Sequence, residues 1–182
     1  QPYDQLEIVS TFGEPQAEYA AIRKSCGLMD CAHRALLELT GRDRLAFLNN
    51  LLTNQTWDKQ TKSGLQAGQG IYAFFLNVKG RIAADMNVLE LGDRTLLEMD
   101  GRLVEPIKLA FDKYLFAEQV KMRSLIGVSH EIALYGPGAA RLTPSAPIAR
   151  PSRSSGTLRM AWKPPPSALR RVVGNSSPAG PM

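Results

Sequence analysis

The sequence predicts an α+β fold, an antiparallel sheet with a few packed helices. Three observations carry that expectation. Strand-like segments follow one another across short turns through residues 71–99, helical stripes interrupt them only a few times, and parallel crossovers are too few for a doubly wound nucleotide-binding sheet.

Taken in order, residues 16–26 (QAEYAAIRKSC) suit a helix. Ala17, Ala20, Ala21 and Ile22 fall on one side, and Gly27 is placed as a left-handed stop. Residues 28–31 and 35–39 read as short strands. TGRDRLAFLNNLLTN, residues 40–54, is read as a helix entered through Thr40-Gly41, with Leu45, Leu48 and Leu52 at helical spacing. Residues 55–70 are polar and contain Gly, so a loop is expected. Residues 71–77, 81–91 and 95–99 follow as strands, the last two joined at Gly92-Asp93. Residues 102–116 give the strongest helix, with Leu103, Ile107, Ala110, Phe111 and Tyr114 on one stripe and Pro106 confined to its first turn or so. Two strands, 119–123 and 130–134, close the set.

A chain of 182 residues that is 44% hydrophobic and 21% charged is about one domain, with room for a smaller extra piece. No apolar run approaches the roughly 20 residues of a membrane helix, so no membrane partner is expected. QPYDQLEIVS has no basic region followed by an apolar core, so no secretory leader is expected. It also lacks a starting Met, which leaves the true beginning of the protein open. Cys26 and Cys31 read as small reduced core thiols. Their CGLMDC spacing matches no zinc pattern and no second Cys or His pair completes one, so no metal is expected and the chain is placed in the cytoplasm.

Charge divides the chain in two. Residues 1–142 carry 16 basic and 17 acidic side chains, a net of −1, whereas residues 143–182 carry the other 6 basic residues and no acid. The tail also holds 8 of the 12 prolines and no Phe or Tyr. A body at 1–142 and a Pro/Arg/Ser-rich irregular tail at 143–182 are therefore expected. Three readings of the tail stay open: a basic Pro-rich arm for RNA, an SH3-like groove or a membrane surface; a flexible appendage; or translation in a shifted frame beyond Leu142. Because the basic charge belongs to the tail alone, nucleic acid is an unfavoured partner for the body.

Motif scans exclude several functions. There is no P-loop, G-x-S-x-G or H-E-x-x-H, and AGQGIY precedes a strand rather than bridging strand and helix, so a dinucleotide fingerprint fails. His33 and His130 read as satisfied polar residues. Trp57 and Trp162 have no aromatic companions placed for stacking on bases.

Asp85 stands out. It lies mid-strand in FLNVKGRIAADMNVLEL, where a carboxylate is a poor choice by propensity and burial. With a period of two, Ile82, Ala84, Met86 and Val88 share an apolar face, while Arg81, Ala83, Asp85 and Asn87 share the other. Either that second face is an ordinary solvated one, or Asp85 lines a pocket that the small Ala83 leaves open.

The order of GLMDCAHRALLELTGRDRLAFLNNLLTN, GIYAFFLNVKGRIAADMNVLEL, a helix and EIALYGPGA resembles the N-terminal part of the glycine-cleavage aminomethyltransferase superfamily, over roughly residues 15–142. The N-V-K-G-R-I turn looks more like YgfZ-type folate-binding proteins and their iron–sulfur assembly relatives, since true aminomethyltransferases usually show Gly-Gly and then paired aspartates. The resemblance implies a tetrahydrofolate site, with Asp85 at the folate-proximal aspartate position, Tyr72 lining the pocket and Asn87 beside them. It implies a cytoplasmic folate-binding protein supporting iron–sulfur cluster assembly or repair, or tRNA modification, with iron–sulfur proteins or their assembly factors as partners. The alternative it implies is a folate-dependent aminomethyltransferase or demethylase, and a nucleic-acid-binding module using the basic tail is the further alternative. The K-G-C-x-x-G-Q-E signature of the YgfZ type is absent. The chain is therefore expected to be a fragment with an incomplete folate pocket, not itself an enzyme, in which Asp85 is the one catalytic candidate.

Overall fold

The computed structural model describes residues 2–3, 6–142 and 157–162. In chain order the elements are β1 (Pro2–Tyr3), β2 (Leu6–Glu7), α1 (Pro15–Lys24), β3 (Gly27–Asp30), β4 (Arg34–Thr40), α2 (Arg44–Leu51), β5 (Trp57–Asp58) and β6 (Ser63–Gly64). They continue through β7 (Gly70–Leu76), β8 (Ile82–Glu90), β9 (Arg94–Asp100), a 3-10 turn (Gly101–Leu103), α3 (Val104–Asp112), β10 (Lys121–Ser124), β11 (His130–Tyr135), α4 (Ala139–Leu142) and β12 (Thr157–Trp162).

Five strands form the main sheet in the order β10-β4-β9-β8-β7, and every pairing in it is antiparallel. The hairpins expected over residues 71–99 supply three of its five strands, from the central β9 to the edge strand β7. A second sheet runs β12-β11-β3, also antiparallel. Part of the expected tail, Thr157–Trp162, is thus a strand registered against His130–Tyr135; the rest of the tail lies outside the described residues.

One face of the main sheet buries the core. Ala73, Phe75, Ala84, Met86, Val88, Leu97, Met99, Leu37 and Leu39 pack against Phe47, Leu48 and Leu52 at α2, and against Val104, Ile107 and Phe111 of α3. Phe111 is the keystone, meeting Phe47 and Phe75 edge-on at centroid distances of 6.0 and 5.1 Å. The stripe Ile107–Phe111 holds as expected, but α3 ends at Asp112 and Tyr114 is exposed beyond it.

Local chemistry accounts for the turns. Asn77 takes the backbone N–H groups of Lys79 and Arg81 on its Oδ1 and that of Gly80 on its carbonyl, closing the β7–β8 turn, and Gly80 sits at φ +74°. The two-residue turn at Gly92-Asp93 is closed by the Leu91 N–H to the Arg94 carbonyl at 2.9 Å. Gly27 is not the left-handed stop expected of it. It opens β3, and a Cβ there would stand 2.4 Å from Ile22 Cγ1, so its role is close approach of α1. Ile82, assigned by alternation to the core face, is 61% exposed, because it lies at the strand end beside the Phe75/Leu76 bulge. The loop expected over residues 55–70 contains the small β5–β6 hairpin.

The segment Leu52-Thr53-Asn54 covers the free edge of β7. Thr53 N–H donates to the Phe74 carbonyl at 3.0 Å, Phe74 N–H donates back to Thr53 Oγ1 at 3.0 Å, and Asn54 Nδ2 donates to the Tyr72 carbonyl at 2.8 Å. An otherwise bare sheet edge is thereby satisfied. No helix among the described residues is long and apolar enough to cross a membrane.

Candidate functional site

The face of the main sheet turned away from the core is polar at its centre. Alternation on β8 sends Asp85 and Asn87 there, half-buried, while Ala84, Met86 and Val88 go to the core. On β7 the same face carries Tyr72 and Phe74; Tyr72 stands opposite Asn87, and Phe74 opposite Asp85. The Tyr72 hydroxyl reaches diagonally to donate to Asp85 Oδ2 at 2.9 Å. The Phe74 ring meets the Tyr72 ring edge-on at 5.2 Å, giving the carboxylate an aromatic flank. Desolvation first, then the hydrogen bond to Asp85 and its charge, push the Tyr72 hydroxyl above its ordinary pKa. Tyr72 therefore stays protonated and donating near neutral pH.

Across the other side of β8, Asn87 pairs with Glu98 of β9, and its Nδ2 donates to Glu98 Oε2 at 2.5 Å. Glu98 in turn accepts from Arg34 Nε of β4, with 13% and 3% of the two side chains exposed. Burial alone would weaken Arg34's hold on its proton. The hydrogen bond and charge of Glu98, with the charges of Glu131 and Asp85, outweigh it and raise the pKa above the usual arginine value. Two hydrogen-bonded groups, Tyr72–Asp85 and Asn87–Glu98–Arg34, lie beside each other across four strands. Farther along, Tyr3 donates to Asp100, and Arg102 bonds both while lying 4.2 Å from the Tyr3 ring centroid.

The three residues singled out from sequence, Tyr72, Asp85 and Asn87, therefore fall on one face, two of them in direct contact. Glu98 and Arg34 were missed. The available signal was the one that exposed Asp85: Glu98 is also a carboxylate in mid-strand, in TLLEM.

The remaining candidates lie elsewhere. His130 Nε2 pairs with Asp30 Oδ1 at 2.7 Å, as a satisfied polar residue would. His33 differs from that expectation, since its buried Nδ1 has no hydrogen-bond partner and its ring meets Tyr3 edge-on at 5.6 Å. Cys31 is buried and Cys26 half-buried, and neither is in a disulfide. No group of three or more His, Cys, Asp or Glu among the described residues could hold a metal ion. An open depression of about 550 Å3 lies beyond the covered β7 edge, lined by Asn49, Thr53, Asn54, Trp57 and Lys59 among others.

An antiparallel sheet with a few helices packed on one face is the arrangement of an aminomethyltransferase-like fold. The chain belongs to the family of the GCVT N-terminal domain, which it matches over residues 3–147. It is 25% identical over 134 residues to the aminomethyltransferase of Thermoanaerobacter sp. strain X514, and 28% identical over 126 residues to that of Alkaliphilus metalliredigens, in each case over 69% of the chain. The structure is similar to glycine cleavage system aminomethyltransferase T from Bartonella henselae, with a TM-score of 0.59 and 25% identity over 69% of this chain and 33% of that one. The chain spans about a third of the length of the curated relatives, 33% and 32% of these two.

Proposed function

We propose that this domain supplies a tetrahydrofolate-binding wall of an aminomethyltransferase-like protein, with Asp85 and Tyr72 in contact with the pterin ring. The Tyr72–Asp85 hydrogen bond on an open, aromatic-flanked sheet face carries the reading. The residues fit such a group. A carboxylate accepts from several N–H donors at once, and bonds to a charged acceptor are about twice as strong as neutral ones. With Oδ2 engaged by Tyr72, Oδ1 keeps its acceptor capacity for ligand. The rings of Tyr72 and Phe74 offer a flat heterocycle an apolar side.

Bound tetrahydrofolate would supply the nitrogen that accepts or gives up a one-carbon unit. Asp85 would orient that nitrogen and either stabilise its positive charge or accept its proton, while Tyr72 would fix the carboxylate's direction.

Relatives named as aminomethyltransferases favour a transferase over a purely binding protein. A second reading, a YgfZ-type folate-binding protein serving iron–sulfur cluster assembly or repair, rests on the Lys79-Gly80 turn and on Asp85 standing alone after Ala84, whose side chain is buried in the core. Titrating tetrahydrofolate into the 15N-labelled chain tests the binding claim. Saturable shifts centred on Tyr72, Asp85 and Phe74 are expected; shifts confined to other surfaces would overturn it. Transfer of a labelled one-carbon unit from an aminomethyl donor to tetrahydrofolate, catalysed by the protein in its full natural length, separates the transferase from the second reading.

A further inference from the structure

We propose that Asn54 is a positioning residue of the Asp85 site: by holding the Tyr72 carbonyl, it fixes the stretch of β7 from which the Tyr72 hydroxyl is aimed at Asp85. This rests on the folate reading above and adds to that site a residue from outside its open face.

Backbone direction carries the argument. In an antiparallel strand the N–H and C=O of one residue point to the same side, and successive residues alternate between the two neighbours. Phe74 turns both groups to Thr53, and Tyr72 turns its carbonyl to Asn54. Both residues therefore face away from β8, so Tyr72–Asn87 and Phe74–Asp85 are pairs without backbone hydrogen bonds between them. Such pairs bring their side chains closest, which lets the Tyr72 hydroxyl reach Asp85 at 2.9 Å. The same direction means that Tyr72 and Phe74, whose rings flank Asp85, take backbone partners from segment 53–54 rather than from β8.

That segment is pinned at both ends. It starts from Leu52, a core residue whose N–H donates to the Leu48 carbonyl of α2 at 2.9 Å and which bridges Phe75. Beyond it comes Thr56, buried, with Oγ1 donating to the Leu45 carbonyl at 2.7 Å and N–H donating to Asn49 Oδ1 at 3.1 Å. Residues 53–54 thus form a brace tied to α2, with little freedom to follow a fraying strand edge. Phe74 is held by two bonds from Thr53, whereas the Tyr72 carbonyl is held by one, from Asn54 Nδ2 at 2.8 Å. Without it the edge opens at residue 72, and the hydroxyl, at the far end of a rigid ring, swings away from Asp85.

The test is a double-mutant cycle of Asn54→Leu with Tyr72→Phe, read by calorimetric titration of tetrahydrofolate beside urea denaturation. In the wild-type background Asn54→Leu is expected to weaken binding about fivefold, the worth of one neutral hydrogen bond. In the Tyr72→Phe background, where no hydroxyl remains to be aimed, it should change affinity by less than about twofold. A merely structural role for Asn54 would lower stability and weaken binding by the same factor in both backgrounds. That result, or unchanged affinity in Asn54→Leu, overturns the positioning role while sparing the folate reading. Should Asn54→Leu not fold, Asn54→Ala, which leaves the Tyr72 carbonyl to water, replaces it in the same cycle. Failure of the wild-type chain to bind tetrahydrofolate overturns the folate reading alone, and a ligand-free measurement then decides the positioning. The Tyr72 hydroxyl, held above its ordinary pKa by desolvation and then by Asp85, is titrated by NMR of 13C-labelled tyrosine. Asn54→Leu should lower that titration toward its position in Asp85→Asn; an unmoved titration overturns the proposal.

Discussion

Successive residues of β8 belong to two different materials. Ala84, Met86 and Val88 are buried against α2 and α3, each at 2% exposure or less, in a layer of aliphatic and aromatic contacts. Asp85 and Asn87, one position along, lie in a row of hydrogen bonds and charges that remains half-open to water. The first layer gains stability from area removed from water, which is indifferent to small changes of direction. The second gains little net stability, because its bonds replace bonds to water, but every donor and acceptor in it has a fixed direction. The comparison teaches a separation of tasks. Folding is set on one face, recognition on the other, and a single strand with a period of two serves both.

That separation makes graded predictions about stability. The largest effect belongs to Met86→Asp, which places a carboxylate at a fully buried position without a partner; the domain should lose its cooperative unfolding transition by circular dichroism. Phe111→Ala removes the ring shared by α3, Phe47 and Phe75, and should cost about 3–5 kcal/mol in urea denaturation. Thr53→Val removes the acceptor for the Phe74 N–H at the β7 edge and should cost about 1 kcal/mol, with faster amide exchange at Phe74.

A smaller, pH-dependent effect is expected at the Tyr3–Asp100–Arg102 cluster. The Arg102 guanidinium, with the Tyr3 hydroxyl and the Arg102 N–H, holds the Asp100 carboxyl well below the usual carboxylate range against the opposing pull of burial. A depressed folded pKa contributes stability above the ordinary aspartate value of about 4 and loses it as pH falls from there through the folded value. Asp100→Asn should therefore be slightly less stable than wild type at pH 7, by less than about 1 kcal/mol after solvent screening. The difference should close as pH drops toward 2; a difference constant across that range would remove the ionic explanation.

The core face was the more legible of the two. Hydrophobic alternation in β8 and the stripe Ile107–Phe111 read correctly, since burial depends on residue type and period alone. The site was legible only where a polar residue broke that pattern, as Asp85 does. Arg34 escaped notice because its partner lies 64 residues away, on a strand whose neighbour cannot be read from local periodicity. The LLTN segment read as helix to its end, yet the helix stops at Leu51 and Thr53-Asn54 bond the edge of β7; a long-range edge pairing overrode local propensity there. Gly27 misled for a related reason: its constraint is the packing of Ile22 rather than its own dihedral angles.

Asp85→Asn isolates the recognition face most cleanly, because Asn keeps the shape and removes the charge. Its unfolding free energy should stay within about 0.5 kcal/mol of wild type, as for substitutions away from the core. Its affinity for tetrahydrofolate should fall about tenfold, as charge-assisted bonds to pterin N–H groups become neutral ones. Calorimetric titration of tetrahydrofolate into wild type and Asp85→Asn, beside urea denaturation of both, reads the two faces separately. Lost affinity with unchanged stability is the predicted result. Equal affinity in the two proteins, or affinity lost only in step with stability, would contradict the assignment of this face to folate.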